Sequence, residues 1–353
     1  MSRLFRVTFI APTLKLTGGM IVAKRYADYL HSRGHEITVV GIHHDEGLFK
    51  DAPYSVRNIR LAHRPFWHHL LFDLLLIGRF LKTVPPSDFI ITVFSPLLVH
   101  AILLKKHRSN RKVLHLYQDA KNIRYFGVYN RLLFRIPWVY RNIDMTMPIT
   151  ERLLTHYARR RNLPVTLLPN GIESDIFCAN TDAPKKNRIL FVGTKRKRLS
   201  TFLKVAKEHE AIDPDVEFMV VCPGPLKIRI PSNTVVIDVK GDRKRLSGLY
   251  QSAKLYVGLS RIESFGLTAL EAMACGTPVI TTKSDGVLGY CRDQFNCVFI
   301  RNQNPRNVAE LISVLLRDPE KLSRLSSNGI ETASRFQWAN SFKKLSAILG
   351  DLS

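Results

Sequence analysis

The sequence predicts an α/β protein built of two doubly wound, Rossmann-like domains. Its 353 residues exceed what one hydrophobic core ordinarily supports. Strand-like apolar runs alternate with helix-like stretches through both halves, which implies parallel sheets with helical crossovers. The composition, 45% apolar and 23% charged with no low-complexity tract or short repeat, is that of a globular chain and excludes a disordered or fibrous one.

In the first half, a strand at Arg6–Ala11 leads through the loop PTLKLTGG to a helix from Met20 to Ser32 that stops at Gly34, and a second strand follows at Glu36–Ile42. Ligands bind at the carboxyl ends of such strands, so Gly18 and Gly19, at the mouth of the helix, are placed to approach a diphosphate or an acceptor. Two adjacent glycines also fit a plain turn. Further strands are predicted at Phe89–Phe94, Val113–Tyr117, Met145–Ile149 and Val165–Leu168.

In the second half, the strand Arg188–Val192 ends at Gly193-Thr194-Lys195-Arg196-Lys197-Arg198, ahead of a helix. Four consecutive cations there could neutralise a leaving diphosphate without a metal, or could form a solvated charge run. Asp213-Pro214-Asp215 precedes the next strand, Glu217–Cys222, and so lies at the amino end, opposite the crevice; it reads as a turn and not as a metal site. A strand at Val235–Val239 brings Lys240 to the ligand-facing end, beside a nucleotide base. Tyr256–Ser260 is the next strand, and the amides of the loop Thr282–Gly289 could hold a sugar.

The stretch ESFGLTALEAMACGTPVI, residues 263–280, organises this half. Gly266 to Cys275 reads as a short buried helix, Gly276 as its stop and Pro278–Thr281 as a strand. Ser264, Phe265 and Gly266 then sit with Leu267 at a helix N-terminus, where free N–H groups attract an anion. Glu263 precedes the helix and Glu271 projects from its second turn. Carboxylates suit sugar hydroxyls, so Glu271 is assigned a ribose diol and Glu263 a transferred sugar. Taken singly, the two glutamates also fit a surface residue and a helix cap.

The whole segment resembles the signature of the retaining glycosyltransferases of GT-B architecture, family 4: Glu, seven residues, Glu, with Phe-Gly after the first Glu and a small-residue helix running into Gly-Thr-Pro-Val. Glu263, Phe265, Gly266, Glu271, Ala272, Ala274, Gly276, Pro278 and Val279 fit it. Gly18-Gly19 ahead of a helix and RGHEITVV is similar to the family's N-terminal pattern, and PNGIESDIF at 169–177 resembles its interdomain hinge.

This resemblance implies a GT-B fold with an acceptor-binding domain at 1–168 and a nucleotide-sugar domain at 169–335, facing a cleft. The amphipathic helix within 336–353 would pack back on the first domain. The donor would meet Gly193, Lys240, Ser264, Phe265, Gly266, Leu267 and Glu271, with no cofactor or metal. The implied chemistry is a front-face transfer to an acceptor hydroxyl with anomeric configuration kept, in which Glu263, Lys195 and Arg198 are the catalytic set. The chain departs from the family at two places. Thr194 stands where an Arg is usual, with Lys195 the nearest substitute, and Arg198 replaces a Lys. The histidine that touches the sugar falls on Gln118 or Asp119, with His115 inside the preceding strand.

Charge is the compositional anomaly, at +24. Between Lys105 and Arg141, ten Lys or Arg face the single acid Asp119 and alternate with Tyr117, Tyr125, Phe126, Tyr129, Phe134, Trp138 and Tyr140. That pattern fits an interfacial helix on an anionic membrane and equally a core helix with a solvated basic face. Phe66 to Leu76 is a second apolar candidate, read as core. No apolar run reaches the roughly 20 residues of a membrane span. Five cysteines without a CxxC argue against a disulfide frame or structural zinc. The expectation is a cytoplasmic protein, peripheral on the inner face of a membrane, acting on a glycan or lipid-linked envelope acceptor and not on nucleic acid. The rival classes are a basic nucleic-acid-binding protein and a non-catalytic scaffold on the same fold.

Overall fold

Strands buried on both faces define each half of the chain, as parallel sheets covered by helices require. The structure, a computed structural model, describes residues 3–14, 17–42, 47–59, 77–107, 111–118, 136–155, 164–180 and 184–353. Its contacts divide it into two units: Met1–Pro169 with Ser341–Ser353, and Asn170–Asn340.

In the first unit, β1 (Arg6–Ala11), β2 (Glu36–Gly41), β3 (Ser55–Asn58), β4 (Phe89–Thr92), β5 (Lys112–Tyr117) and β6 (Met145–Pro148) form one parallel sheet in the order β3-β2-β1-β4-β5-β6. The helices are α1 (Gly18–Ser32), α2 (Leu98–His107) and the short α3 (Pro137–Arg141). Thr17 caps α1, and Met20, Ala23, Tyr26, Ala27 and Leu30 recur at helical spacing to bury one face. The predicted strand Val165–Leu168 is reduced to a single bridge, Val165 with Thr146, continued by the Leu168 N–H to the Pro148 carbonyl at 2.9 Å. Pro164 and Pro169 bracket the segment and supply no N–H, which keeps the pairing short.

The second unit repeats the plan. Strands β7 (Lys186–Val192), β8 (Glu217–Val221), β9 (Thr234–Ile237), β10 (Ala253–Gly258), β11 (Val279–Thr282) and β12 (Val298–Ile300) run parallel in the order β12-β11-β10-β7-β8-β9. The helices are α4 (Leu199–Glu210), α5 (Arg243–Ser252), α6 (Leu267–Ala274), α7 (Pro305–Leu316), α8 (Pro319–Ser334) and α9 (Trp338–Leu352). Asp242, Asn304 and Asp318 cap α5, α7 and α8 through their side chains. The sequence reading did not mark β3, β12, α2, α5, α7 or α8.

The unit boundary falls within α9. Ser341 Oγ donates to the Pro169 carbonyl at 2.6 Å, and Phe342 stacks on Tyr29 at 4.4 Å, both within the first unit. The Ile172 N–H reaches the Phe336 carbonyl at 2.7 Å within the second. No helix among the described residues is long and apolar enough to cross a membrane. The basic and aromatic segment lies largely outside those residues. Its described end places the Lys106 ammonium 4.9 Å from the centre of the Trp138 ring. Phe66 to Leu76 also lie outside.

Under β7 and β8 the second core is aromatic: Phe202 of α4 lies 4.8 Å from Phe191 and 5.5 Å from Phe218, ring centre to ring centre. Phe202→Ala is expected to cost the second unit about 3–5 kcal/mol, read as a lower unfolding midpoint in urea.

Candidate active site

In the second sheet the chain leaves β7 for β8 and β9 on one side, and returns to β10 on the other side of β7. A crevice opens where two neighbouring crossovers part in this way, at the carboxyl ends of the strands. The segment after β7 is Gly193-Thr194, a 3-10 turn at Lys195–Lys197, and Arg198 in the left-handed region at φ 66°. The segment after β10 runs from Leu259 to Gly266 and opens α6.

Lys197 is the cation that faces this crevice. Its Nζ lies 3.3 Å from Glu263 Oε1 and donates to Thr268 Oγ1 at 3.1 Å. Its stem passes over Gly193, where a Cβ would stand 2.7 Å from Lys197 Cδ. Tyr256 Oη also donates to Thr268 Oγ1, at 2.9 Å. A threonine hydroxyl that already accepts twice keeps its own proton to donate. Lys197, Glu263, Gly266, Thr268, Ser260 and Thr281 line the recess.

Two glycines shape the loop. Gly266 precedes α6 at φ 85°, a conformation side chains resist, and its carbonyl accepts from Tyr290 Oη at 2.6 Å. Gly266 stands at the N-cap position of α6 and has no side chain to cap it, which suits the first N–H groups of the helix to an anion. The Gly286 N–H donates to the Glu263 carbonyl at 2.9 Å, and a Cβ there would meet the Phe265 nitrogen at 2.5 Å.

Glu271 is buried in the second turn of α6. Arg243 Nη2 lies 2.9 Å from its Oε1, and Tyr250 Oη donates to its Oε2 at 3.3 Å. Burial pushes its carboxyl above the usual range, against the pull of Arg243 and Lys197. Burial also raises the Tyr256 phenol, and both Glu263 and Glu271 add to that rise. The two carboxylates and Lys197 therefore share one electrostatic neighbourhood.

The structure sorts the sequence-predicted residues unevenly. Lys195 is exposed on the 3-10 turn, and the Arg198 guanidinium is turned to Gln303 Oε1, which also accepts from Arg261 Nε at 3.0 Å. Neither contacts Glu263; the phase of the turn gives that contact to Lys197. Phe265 is a buried anchor, 5.8 Å from Tyr290 and 5.9 Å from Phe336, and does not line the recess. Ser264 and Leu267 flank Gly266, half-buried. Lys240 follows the edge strand β9, exposed, with its N–H on Asp238 Oδ1 at 2.8 Å.

In the first unit, Gln118 Nε2 donates to the Gly19 carbonyl at 3.2 Å, and a Cβ on Gly19 would meet the Phe94 ring at 3.0 Å. Gly18 has open space where a Cβ would stand, and Asp119 lies outside the described residues. Sequence reasoning missed Lys197 as the contact, together with Thr268, Tyr256 and Arg243. The cationic run pointed to the first; nothing local marks the others.

Comparison with known proteins bears on the family and the fold. Residues 174–332 match the family described as Glycosyl transferases group 1. D-inositol 3-phosphate glycosyltransferase 1 of Catenulispora acidiphila is 36% identical over 103 residues, 29% of this chain and 25% of that protein. The D-inositol 3-phosphate glycosyltransferase of Nocardiopsis dassonvillei is 26% identical over 223 residues, 55% of this chain and 52% of that protein. The chain thus spans between a quarter and about half of the length of these two relatives.

Among solved structures, sucrose-phosphate synthase from Thermosynechococcus elongatus superposes with a TM-score of 0.78 at 20% identity, covering 99% of each chain. Anabaena HepE in complex with UDP-glucose gives a TM-score of 0.78 at 15% identity, covering 98% of this chain and 100% of that one. The fold is GT-B. The match to the group 1 family covers most of the second unit.

Gly286→Ala is expected to push the Glu263 loop away from its amide and to cost about 1–3 kcal/mol. Hydrogen exchange should then quicken at residues 263–268 more than in the β7–β10 core.

Proposed function

We propose that the protein moves a sugar from a nucleotide diphosphate sugar to an acceptor hydroxyl, keeping the anomeric configuration. The observation that carries the reading is Lys197 bridging Glu263 and Thr268 at the uncapped start of α6, with Glu271 in the same field. The family match over 174–332 and the nucleotide sugar in the HepE structure support it.

In this mechanism the bond from the anomeric carbon to the β-phosphate oxygen breaks, and the acceptor oxygen bonds to that carbon on the same face. The acceptor's proton passes to the departing phosphate oxygen. Lys197 and the first amides of α6 hold the charge that develops on the diphosphate, a task that needs no metal. Glu263 accepts hydrogen bonds from the sugar, and Glu271 accepts from the ribose. In the first unit, Gly18, Gly19 and Gln118 stand at the corresponding carboxyl ends and are assigned to the acceptor side. The acceptor is a lipid-linked or envelope glycan met at an anionic membrane surface, a reading supported by the net charge of +24.

Incubation with UDP-, GDP- and ADP-sugars is expected to release one free nucleoside diphosphate, faster with acceptor; lipid-linked glycans and inositol 3-phosphate form the acceptor panel. Glu271→Ala should raise the donor KM about 10- to 100-fold, and Glu263→Ala should lower kcat by a similar factor. Wild-type rates in both variants would remove these roles. The protein should pellet with anionic but not neutral vesicles, and indifference to lipid charge would count against the membrane acceptor.

A further inference from the structure

Glu271 is 4% exposed, and a carboxylate at that depth needs a partner. Arg243, the first residue of α5, supplies it and is itself held in place. Its Nε lies 2.5 Å from Glu173 Oε2, and its guanidinium carbon lies 4.8 Å from the centre of the Phe177 ring. Glu173 is also 4% exposed. Two buried carboxylates thus share one guanidinium. Such triads add little stability over apolar packing of the same volume, so what this one supplies is geometry.

That geometry leaves Glu271 with capacity to spare. Oε1 accepts from Arg243 and Oε2 from Tyr250, and each oxygen keeps a second lone pair. Two acceptors side by side match two hydroxyls on adjacent carbons. We infer that Arg243 is a positioning residue: clamped by Glu173 and Phe177, it orients the Glu271 carboxylate so that the remaining lone pairs take the vicinal diol of the nucleotide's ribose. This rests on the donor-binding reading of Glu271 given above.

The groups that face Glu271 are Arg243 and Tyr250 from α5, Lys197 from the turn after β7, Tyr256 from β10 and Cys275 at the end of α6, with Glu173 behind Arg243. Arg243 and Lys197 are the cations among them. Burial already lifts the Glu271 carboxyl, and loss of Arg243 lifts it further. Affinity that depends on the ionised form is then present above that raised value and fades as pH falls through it.

The test titrates the wild-type chain, Arg243→Met, Arg243→Lys and Glu173→Gln with UDP, GDP and ADP and with their 2′-deoxy counterparts, at pH 6 and pH 8. Thermal unfolding is followed in parallel. The wild type is expected to bind one of the three and to prefer the ribose form by about tenfold at both pH values. In Arg243→Met that preference should fall below about threefold, and the residual affinity should be lower at pH 6 than at pH 8. Arg243→Lys, which has no fork to span both carboxylates, and Glu173→Gln should fall between. A purely structural role would lower the unfolding temperature without moving the ribose preference.

A folded Arg243→Met that keeps the preference and the flat pH response overturns the inference. If that variant does not fold, an Arg243→Lys indistinguishable from wild type overturns it instead. Wild-type binding with no ribose preference also overturns it while leaving the nucleotide site intact. No binding of any of the three by the wild type removes the donor reading itself, and the inference with it.

Discussion

The ion pair between Lys197 and Glu263 is the interaction on which the site depends. It joins the turn after β7 to the turn after β10, the two segments that flank the point where the second sheet reverses its strand order. Three conditions make it possible. Gly193 carries no side chain under the lysine stem, the 3-10 turn presents Lys197 inward, and Gly286 fixes the main chain of Glu263. Each is a backbone feature, so the polar chemistry rests on sheet topology and on the tight turns that follow from it.

A second layer surrounds this pair. Thr268 accepts from both Lys197 and Tyr256, and Tyr256 lies in the fields of both glutamates. Glu271 balances its burial against Arg243 and Lys197. The two carboxylates thus share neighbours: Lys197 pairs with Glu263 and pulls on Glu271, and Tyr256 lies near both.

Much of the fold was legible in the sequence because strands buried on both faces appear as continuous apolar runs. The helix holding Glu271 was legible for a similar reason, its small and apolar residues ending at a glycine. The sequence could not choose among the four cations at 195–198. Successive residues of a 3-10 turn point about a third of a turn apart, so a shift of one position sends the ammonium elsewhere. Arg198 shows it: the same charge type, one residue on, is turned to Gln303. Arg243 was invisible for another reason, since its partners Glu173 and Glu271 are brought to it only by tertiary packing. Short elements such as β3 and β12 escaped because three or four residues carry too little periodicity to stand out.

The contact of Gly286 with the backbone at Glu263–Phe265 bears on how such a site can diversify. With two main chains in contact, neither segment can gain or lose a residue alone without displacing the carboxylate. Change at this site would therefore come by exchange of side chains on a fixed frame, and a library that varies loop length at 263–266 or 283–287 would mostly displace the Glu263 carboxylate.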